Sequence, residues 1–278
     1  MLPLRLFRVS RGREVRRFYA NPMKESKGGS LSCAAWSPDG RLFAVAERES
    51  GIIRLLELAS GKVRAEFAGH RHGVHELAFA PDGKTLASGG EDNVVFFWDV
   101  VGSRTGAAVK NPSKKDLAAW WGDLAAEDAK RAGTAVASLA GSPEQSVPFL
   151  RDRLRPAEAV EEKRLGRLIA DLDATALEKR EAAVRQLTLL GEQAEPRLRQ
   201  ALKDGPPLEV SRRIETLLER LERGPLPSET MRAVRAIEVL EHLGTPETRR
   251  CLEALAKGTE ARQTRDAKAA LDRLARRR

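Results

Sequence analysis

Cysteine is almost missing from this sequence, and its scarcity removes two classes of fold at once. Cys33 and Cys251 stand alone on separate segments, so neither a disulfide framework nor a paired-cysteine zinc motif can be built. A reducing, cytoplasmic setting fits such a chain. Long hydrophobic runs are missing too. No apolar stretch approaches the ~18 residues of a membrane span, and Arg5 and Arg8 break up the opening MLPLRLFRVS before an export signal could form. No membrane partner is expected. Aromatic residues supply 5% of the chain and charged residues 32%, which points to a helix-rich, well-solvated remainder.

Catalytic motifs are the third absence. The chain has no P-loop lysine, no GxSxG elbow, no HExxH, and no cysteine paired with a plausible histidine base. Glu161 with Glu162, and Asp171 with Asp173, lie inside or at the ends of charged helical stretches, where surface and capping roles account for them better than acid/base work. His70, His72 and His75 sit close together. In an extended strand they would not all face one way, and no carboxylate or cysteine stands beside them at ligand spacing. No catalytic residue, metal or cofactor is therefore expected.

What is present is a strand pattern, clearest over residues 69–100, GHRHGVHELAFAPDGKTLASGGEDNVVFFWDV. Residues 74–79, 84–88 and 94–99 are short β-rich runs separated by turn residues. Ala80-Pro81-Asp82-Gly83 makes the first corner, since proline presets φ and aspartate and glycine tolerate the bend. Gly89-Gly90-Glu91-Asp92-Asn93 makes the second. Similar runs occur earlier, at 31–36, Ser37-Pro38-Asp39-Gly40 and 42–46, and strand pairs are expected at 4–9 with 14–19 and at 53–58 with 63–67. Phe7, Leu56 and Trp98 occupy corresponding places, so the chain opens within a strand pair.

With its Gly-His start and Trp-Asp end, 69–100 resembles the WD-repeat β-propeller family. The resemblance places His70, Ser88, Asp92 and Trp98 in a hydrogen-bonded tetrad that locks the strands, a structural role. In the earlier repeat no Gly-His is present, Val45 replaces the serine and Leu56-Glu57 replaces Trp-Asp, so that blade is expected to be less firmly locked. About two and a half blades form a wedge, whereas propellers close with roughly four to eight. Three accounts follow: the chain is a C-terminal fragment of a longer protein, copies or another chain complete the ring, or the helical part covers the open face. The first is favoured by the mid-blade start.

Residues 1–100 are thus read as a partial propeller, 101–115 as a Gly/Ser/Pro/Lys-rich linker in which 106–109 could add an outer strand, and 116–278 as helical. Leu117, Trp120, Trp121 and Leu124 share one helical face. Trp120 and Trp121 are candidates for a docking or interdomain anchor, with packing in their own domain the favoured role. Helices are expected to end at Gly141, Gly191 and Gly244 in left-handed caps, with a capping box at 142–145 and a similar start at Thr245. One apolar stripe recurs as Leu165, Leu168, Ile169, Leu172, then Ile214, Leu217, Leu218, Leu221, then Ala267, Ala270, Leu271, Leu274. Two landmarks with one period indicate an α-solenoid. The segments resemble HEAT or armadillo repeats, and 168–202 resembles HEAT-like units attached to WD-repeat arrays in planctomycete proteins.

The net charge of +9 arises from 49 Lys plus Arg against 40 Asp plus Glu. Most are interleaved, as in Glu178-Lys179-Arg180-Glu181 and 219–223, which makes a solvated, ion-paired surface rather than a phosphate track. The expected function is a non-enzymatic scaffold for an unknown protein or peptide. The alternatives are a basic solenoid that binds nucleic acid, and the regulatory tail of an enzyme whose catalytic part lies upstream.

Overall fold

The computed structural model describes residues 4–8, 13–18, 31–102 and 111–277. Strands come first. β1 (Leu4–Arg8) and β2 (Arg13–Phe18) form an antiparallel pair. β3 (Leu31–Trp36), β4 (Leu42–Glu47), β5 (Ile53–Glu57) and β6 (Lys62–Phe67) form a four-stranded antiparallel meander, and β7 (Val74–Phe79), β8 (Thr85–Gly90) and β9 (Val95–Asp99) a three-stranded one. Together they make a partial propeller of about two and a half blades; blade 1 denotes β3–β6 and blade 2 denotes β7–β9. The outer strand expected at 106–109 lies outside the described residues.

The corners form as their residues dictate. Gly40 and Gly83 take φ values of 68° and 72°, a left-handed geometry that costs glycine nothing. Ser37 Oγ donates to Asp39 Oδ1 at 2.5 Å, and the Asp39 carboxylate accepts from the Arg41 amide at 3.0 Å, tying the first corner. Asn93, at φ 58°, turns β8 into β9. The two blades keep one register: Phe43 pairs with Leu56 as Leu86 pairs with Trp98, and Ala44 with Leu55 as Ala87 with Phe97. Leu42, Ala44, Ala46, Ile53 and Leu55 of blade 1 meet Val74, Leu86 and Val100 in a core between the two sheets. On the other face of blade 1, Phe43, Val45 and Leu56 form a second small cluster.

Ten α-helices follow among the described residues: α1 (Lys114–Asp123), α2 (Ala129–Ala140), α3 (Pro143–Arg153), α4 (Glu162–Ala170), α5 (Leu177–Leu190), α6 (Glu195–Lys203), α7 (Leu208–Arg223), α8 (Ser228–Leu243), α9 (Pro246–Ala256) and α10 (Arg262–Arg276). This is the helical, solenoid-like second half of the chain. The twelve stripe residues all face a core, but not one continuous core. Those around α4 and α7 join a cluster of α4–α7, whereas those of α10 join a cluster of α1–α3 and α8–α10. α8 packs directly on α2. Sequence periodicity fixes which side of a helix is apolar and not which helix it meets, so this stacking order lay beyond it.

Three end signals need correction. Gly141 caps α2 at φ −75°, in the right-handed region; Gly191 has φ 58° but ψ −131°, outside the left-handed helical region, and Gly244, at φ 61° and ψ 14°, makes the left-handed cap. Ser142 precedes α3, with Pro143 in its first turn, but makes no side-chain cap bond. The capping box occurs elsewhere: Ser113 Oγ accepts from the Asp116 amide and Asp116 Oδ2 accepts from the Ser113 amide at the start of α1. Thr245 does cap α9, accepting from Thr248 N at 3.3 Å.

Candidate functional site

Blade 2 brings four of the singled-out residues together. His70 precedes β7, Ser88 sits on β8, Asp92 in the β8–β9 turn and Trp98 on β9. His70 Nδ1 lies 2.9 Å from Asp92 Oδ1 and His70 Nε2 lies 2.7 Å from Ser88 Oγ. Trp98 Nε1 donates to Ser88 Oγ at 2.8 Å. Burial works to raise the Asp92 pKa, but the bonds from His70 and from the Arg71 and Val94 amides bring it down to about 2. The chain of bonds therefore runs from a carboxylate through imidazole and hydroxyl to indole, with each polar atom used. Phe96 stands edge-on to His70 and stacks on Trp98, at 4.8 and 5.0 Å between centroids.

Among the described residues no three or more His, Cys, Asp or Glu converge to hold a metal. His75 is exposed and lies 3.6 Å from Glu91, away from the His70 bonds. Trp120 and Trp121 are half-buried on α1 and pack against the core of α1–α3 and α8–α10. Trp121 meets Phe149 edge-on at 6.4 Å, and Arg232 lies 5.2 Å over the Trp121 ring.

One face of blade 2 is open. Val95 is 61% and Phe97 74% exposed, whereas Ile53 and Leu55, the residues at the same register positions of blade 1, are fully buried under blade 2. The arrangement offers an apolar sheet surface whose counterpart elsewhere in the molecule already holds a blade.

Sequence reasoning missed the joint between strands and helices. Arg235, Glu238 and Glu241 of α8 are buried, and each meets a buried ion from blade 1. Arg235 donates to Glu57 from Nε at 2.9 Å and from Nη2 at 2.5 Å, a bidentate pair. Arg64 Nη1 donates to Glu238 at 3.0 Å, and Arg41 Nη1 to Glu241 at 2.8 Å. Arg235 Nη1 also reaches the carbonyls of Leu124 and Ala126. Burial alone would raise the Glu57 and Glu241 carboxyls; Arg235 and Arg64 hold the first below the usual range, and Arg273 of α10, bidentate at 2.8 Å, together with Arg41 holds the second. Gly133 lets α2 approach, because an added Cβ would come within 3.0 Å of the Arg64 side chain. Interleaved charge was read as a solvated surface, yet these six ions are interior. The available signal was in α8, where MRAVRAIEVLEHL sets charges among apolar residues on every side.

Comparison with known proteins falls on the strands. Residues 61–99 match the family described as WD domain, G-beta repeat, and residues 3–75 match the Anaphase-promoting complex subunit 4 WD40 domain. The chain is 36% identical over 69 residues to Apoptotic protease-activating factor 1 of Mus musculus, covering 25% of this chain and 5% of that protein. It is 32% identical over 87 residues to the Periodic tryptophan protein 2 homolog of Schizosaccharomyces pombe, covering 31% and 10%. With the Meiotic recombination protein rec14 of the same yeast it shares 30% identity over 77 residues, covering 28% and 25%. The match thus spans a quarter or less of each relative. The strand-forming part of this chain is similar to WD repeats.

Proposed function

We propose that this chain is a non-enzymatic protein–protein interaction scaffold and a C-terminal part of a longer WD-repeat protein, acting in the cytoplasm. In this reading 1–100 form the partial propeller, 101–115 the linker and 116–278 a HEAT-like helical domain. The observation that carries it is the exposure of Val95 and Phe97 at positions which blade 1 buries. Exposed apolar surface of this kind marks a place where another chain or another blade sits. His70, Ser88, Asp92 and Trp98 have a structural role here, holding blade 2 in shape so that this face stays flat, and Trp120 and Trp121 cement α1 to the helical core. Ion pairs across the molecule use many of the basic side chains, which supports a protein partner over nucleic acid.

The test is capture from native lysate at moderate salt with the full chain and with Phe97→Asp. Loss in the variant of the proteins that the unaltered chain retains is the expected result. An identical set retained by both, or no protein retained by either, overturns the reading.

A further inference from the structure

A second surface lies far from Phe97 in the chain, in a cleft of about 530 Å³ between the two helical cores. Its walls come from the end of α5, the segment joining α7 to α8, and the start of α10. That volume lies within the ~300–1,000 Å³ typical of ligand sites. Leu190, Leu221, Leu226 and Met231 make its apolar lining, and Leu189, at the end of α5, is 56% exposed there. Leu226 N donates to Ala59 O at 2.9 Å, so the lining segment is also pinned to blade 1.

The charges of the cleft do not balance. Each of its acids is matched: Glu127 lies 3.3 Å from Lys62, Glu192 pairs with Arg262 and Arg265, and Glu229 lies 2.5 Å from Arg232. Arg220, also in the lining, has no carboxylate partner among the described residues. An apolar trough with one unmatched guanidinium complements a ligand that brings one apolar group and one carboxylate. Leu189, exposed at the end of α5, adds an apolar contact for an inserted aliphatic side chain. Because the trough runs between modules and is not enclosed in either core, a chain segment can lie along it.

We propose that this cleft binds an extended peptide of a partner protein, seating a large apolar side chain against Leu189 and Leu221 and a neighbouring carboxylate on Arg220. This rests on the scaffold reading and names a second contact within it.

Fluorescence anisotropy on the full chain tests it, with three labelled peptides that share a Leu-Leu core flanked by Glu, Gln or Lys. The Glu peptide binds at least ten-fold more tightly than the Lys peptide. Arg220→Glu reverses that order, a result that misfolding cannot mimic, and Leu189→Asp weakens the Glu peptide by ten-fold or more. Equal binding of all three, no binding by the unaltered chain, or an unchanged order in Arg220→Glu overturns the proposal. If lysate capture persists while the Glu peptide fails, the cleft falls and the scaffold stands; if the peptide binds and capture fails, the cleft stands and the propeller-face reading falls.

Discussion

The two blades share a register and differ in how they are held. Blade 2 holds itself, through the bonds that link Asp92, His70, Ser88 and Trp98. Blade 1 has Val45 and Leu56 in two of those places; inside it a buried Arg54–Glu47 pair ties β5 to β4, and from outside Glu57, Arg64 and Arg41 are clamped by Arg235, Glu238 and Glu241 of α8. The sequence reading of a less firmly locked first blade followed from the missing tetrad and overlooked this clamp. Each blade thus carries an internal polar link, a hydrogen-bonded chain ending at indole in blade 2 and a buried ion pair in blade 1, and blade 1 adds buried ion pairs to α8.

The contrast is broken most severely by removing one member of the clamp. Arg235→Ala takes the bidentate partner from buried Glu57, leaving it Arg64 at 3.8 Å and the Ser60 hydroxyl at 2.6 Å, and strips two carbonyls of a donor, so a loss of about 3 kcal/mol is expected. Urea unfolding measures it. In blade 2, Ser88→Ala deprives the His70 and Trp98 nitrogens of one shared partner, for about 1–3 kcal/mol. If Ser88→Ala costs more than Arg235→Ala, the ordering of the two locks is wrong. A joint Glu57→Leu and Arg235→Met replacement recovers much of the loss, because a buried pair stabilises little compared with apolar groups of similar size.

Acid sharpens the same contrast. Burial pushes Asp39 upward, but Arg41 and the Ser37 hydroxyl bring its pKa from 3.8 to about 2. Glu57 and Glu241 are lowered as well, from 4.5. A carboxyl depressed in the folded state stabilises above its unfolded pKa, and that stability is lost as pH falls toward the folded value. The clamp therefore weakens between about pH 4.5 and 2, by roughly 2 kcal/mol for Asp39 alone. His242, next to Glu241 on α8, is lowered from 6.5 mainly by burial. Its folded form binds protons less readily than its unfolded form, so a first loss begins as pH falls below 6.5. Unfolding midpoints from pH 8 to 2 should fall in two stages, with His242→Gln removing the first. A flat profile down to pH 3 contradicts the clamp.

The parts legible in the sequence are those set by short-range chemistry. Strand limits and the Pro-Asp-Gly corners follow from local patterns, the residues of the hydrogen-bonded group in blade 2 were placed by the resemblance to WD repeats, and the apolar stripes of α4, α7 and α10 follow from helical periodicity. The pairing of Glu57 with Arg235 does not. It joins residues far apart in the chain whose spacing carries no periodic signal, and a charge among apolar neighbours reads equally as an exposed position until its partner is known. The left-handed cap expected at Gly141 failed for a related reason: glycine permits positive φ without imposing it. The open face of blade 2 was foreseen only in general, as a wedge that exposes apolar surface. That Val95 and Phe97 form it depends on which side of β9 faces blade 1.

The mildest substitution makes the sharpest comparison of the two sheets. Leu55 and Phe97 occupy one register position, opposite Ala44 and Ala87, yet Leu55 is fully buried and Phe97 is 74% exposed. Leu55→Ala removes packed methyl groups and leaves a cavity, for about 2–5 kcal/mol. Phe97→Ala removes a larger side chain that faces solvent, and surface changes of this kind stay within about 0.5 kcal/mol. The larger deletion should therefore have the smaller effect, by thermal unfolding of the full chain in dilute solution. If Phe97→Ala instead approaches the cost of Leu55→Ala, the face is already covered in solution, and the melting temperature of the unaltered chain should rise with protein concentration as self-association demands.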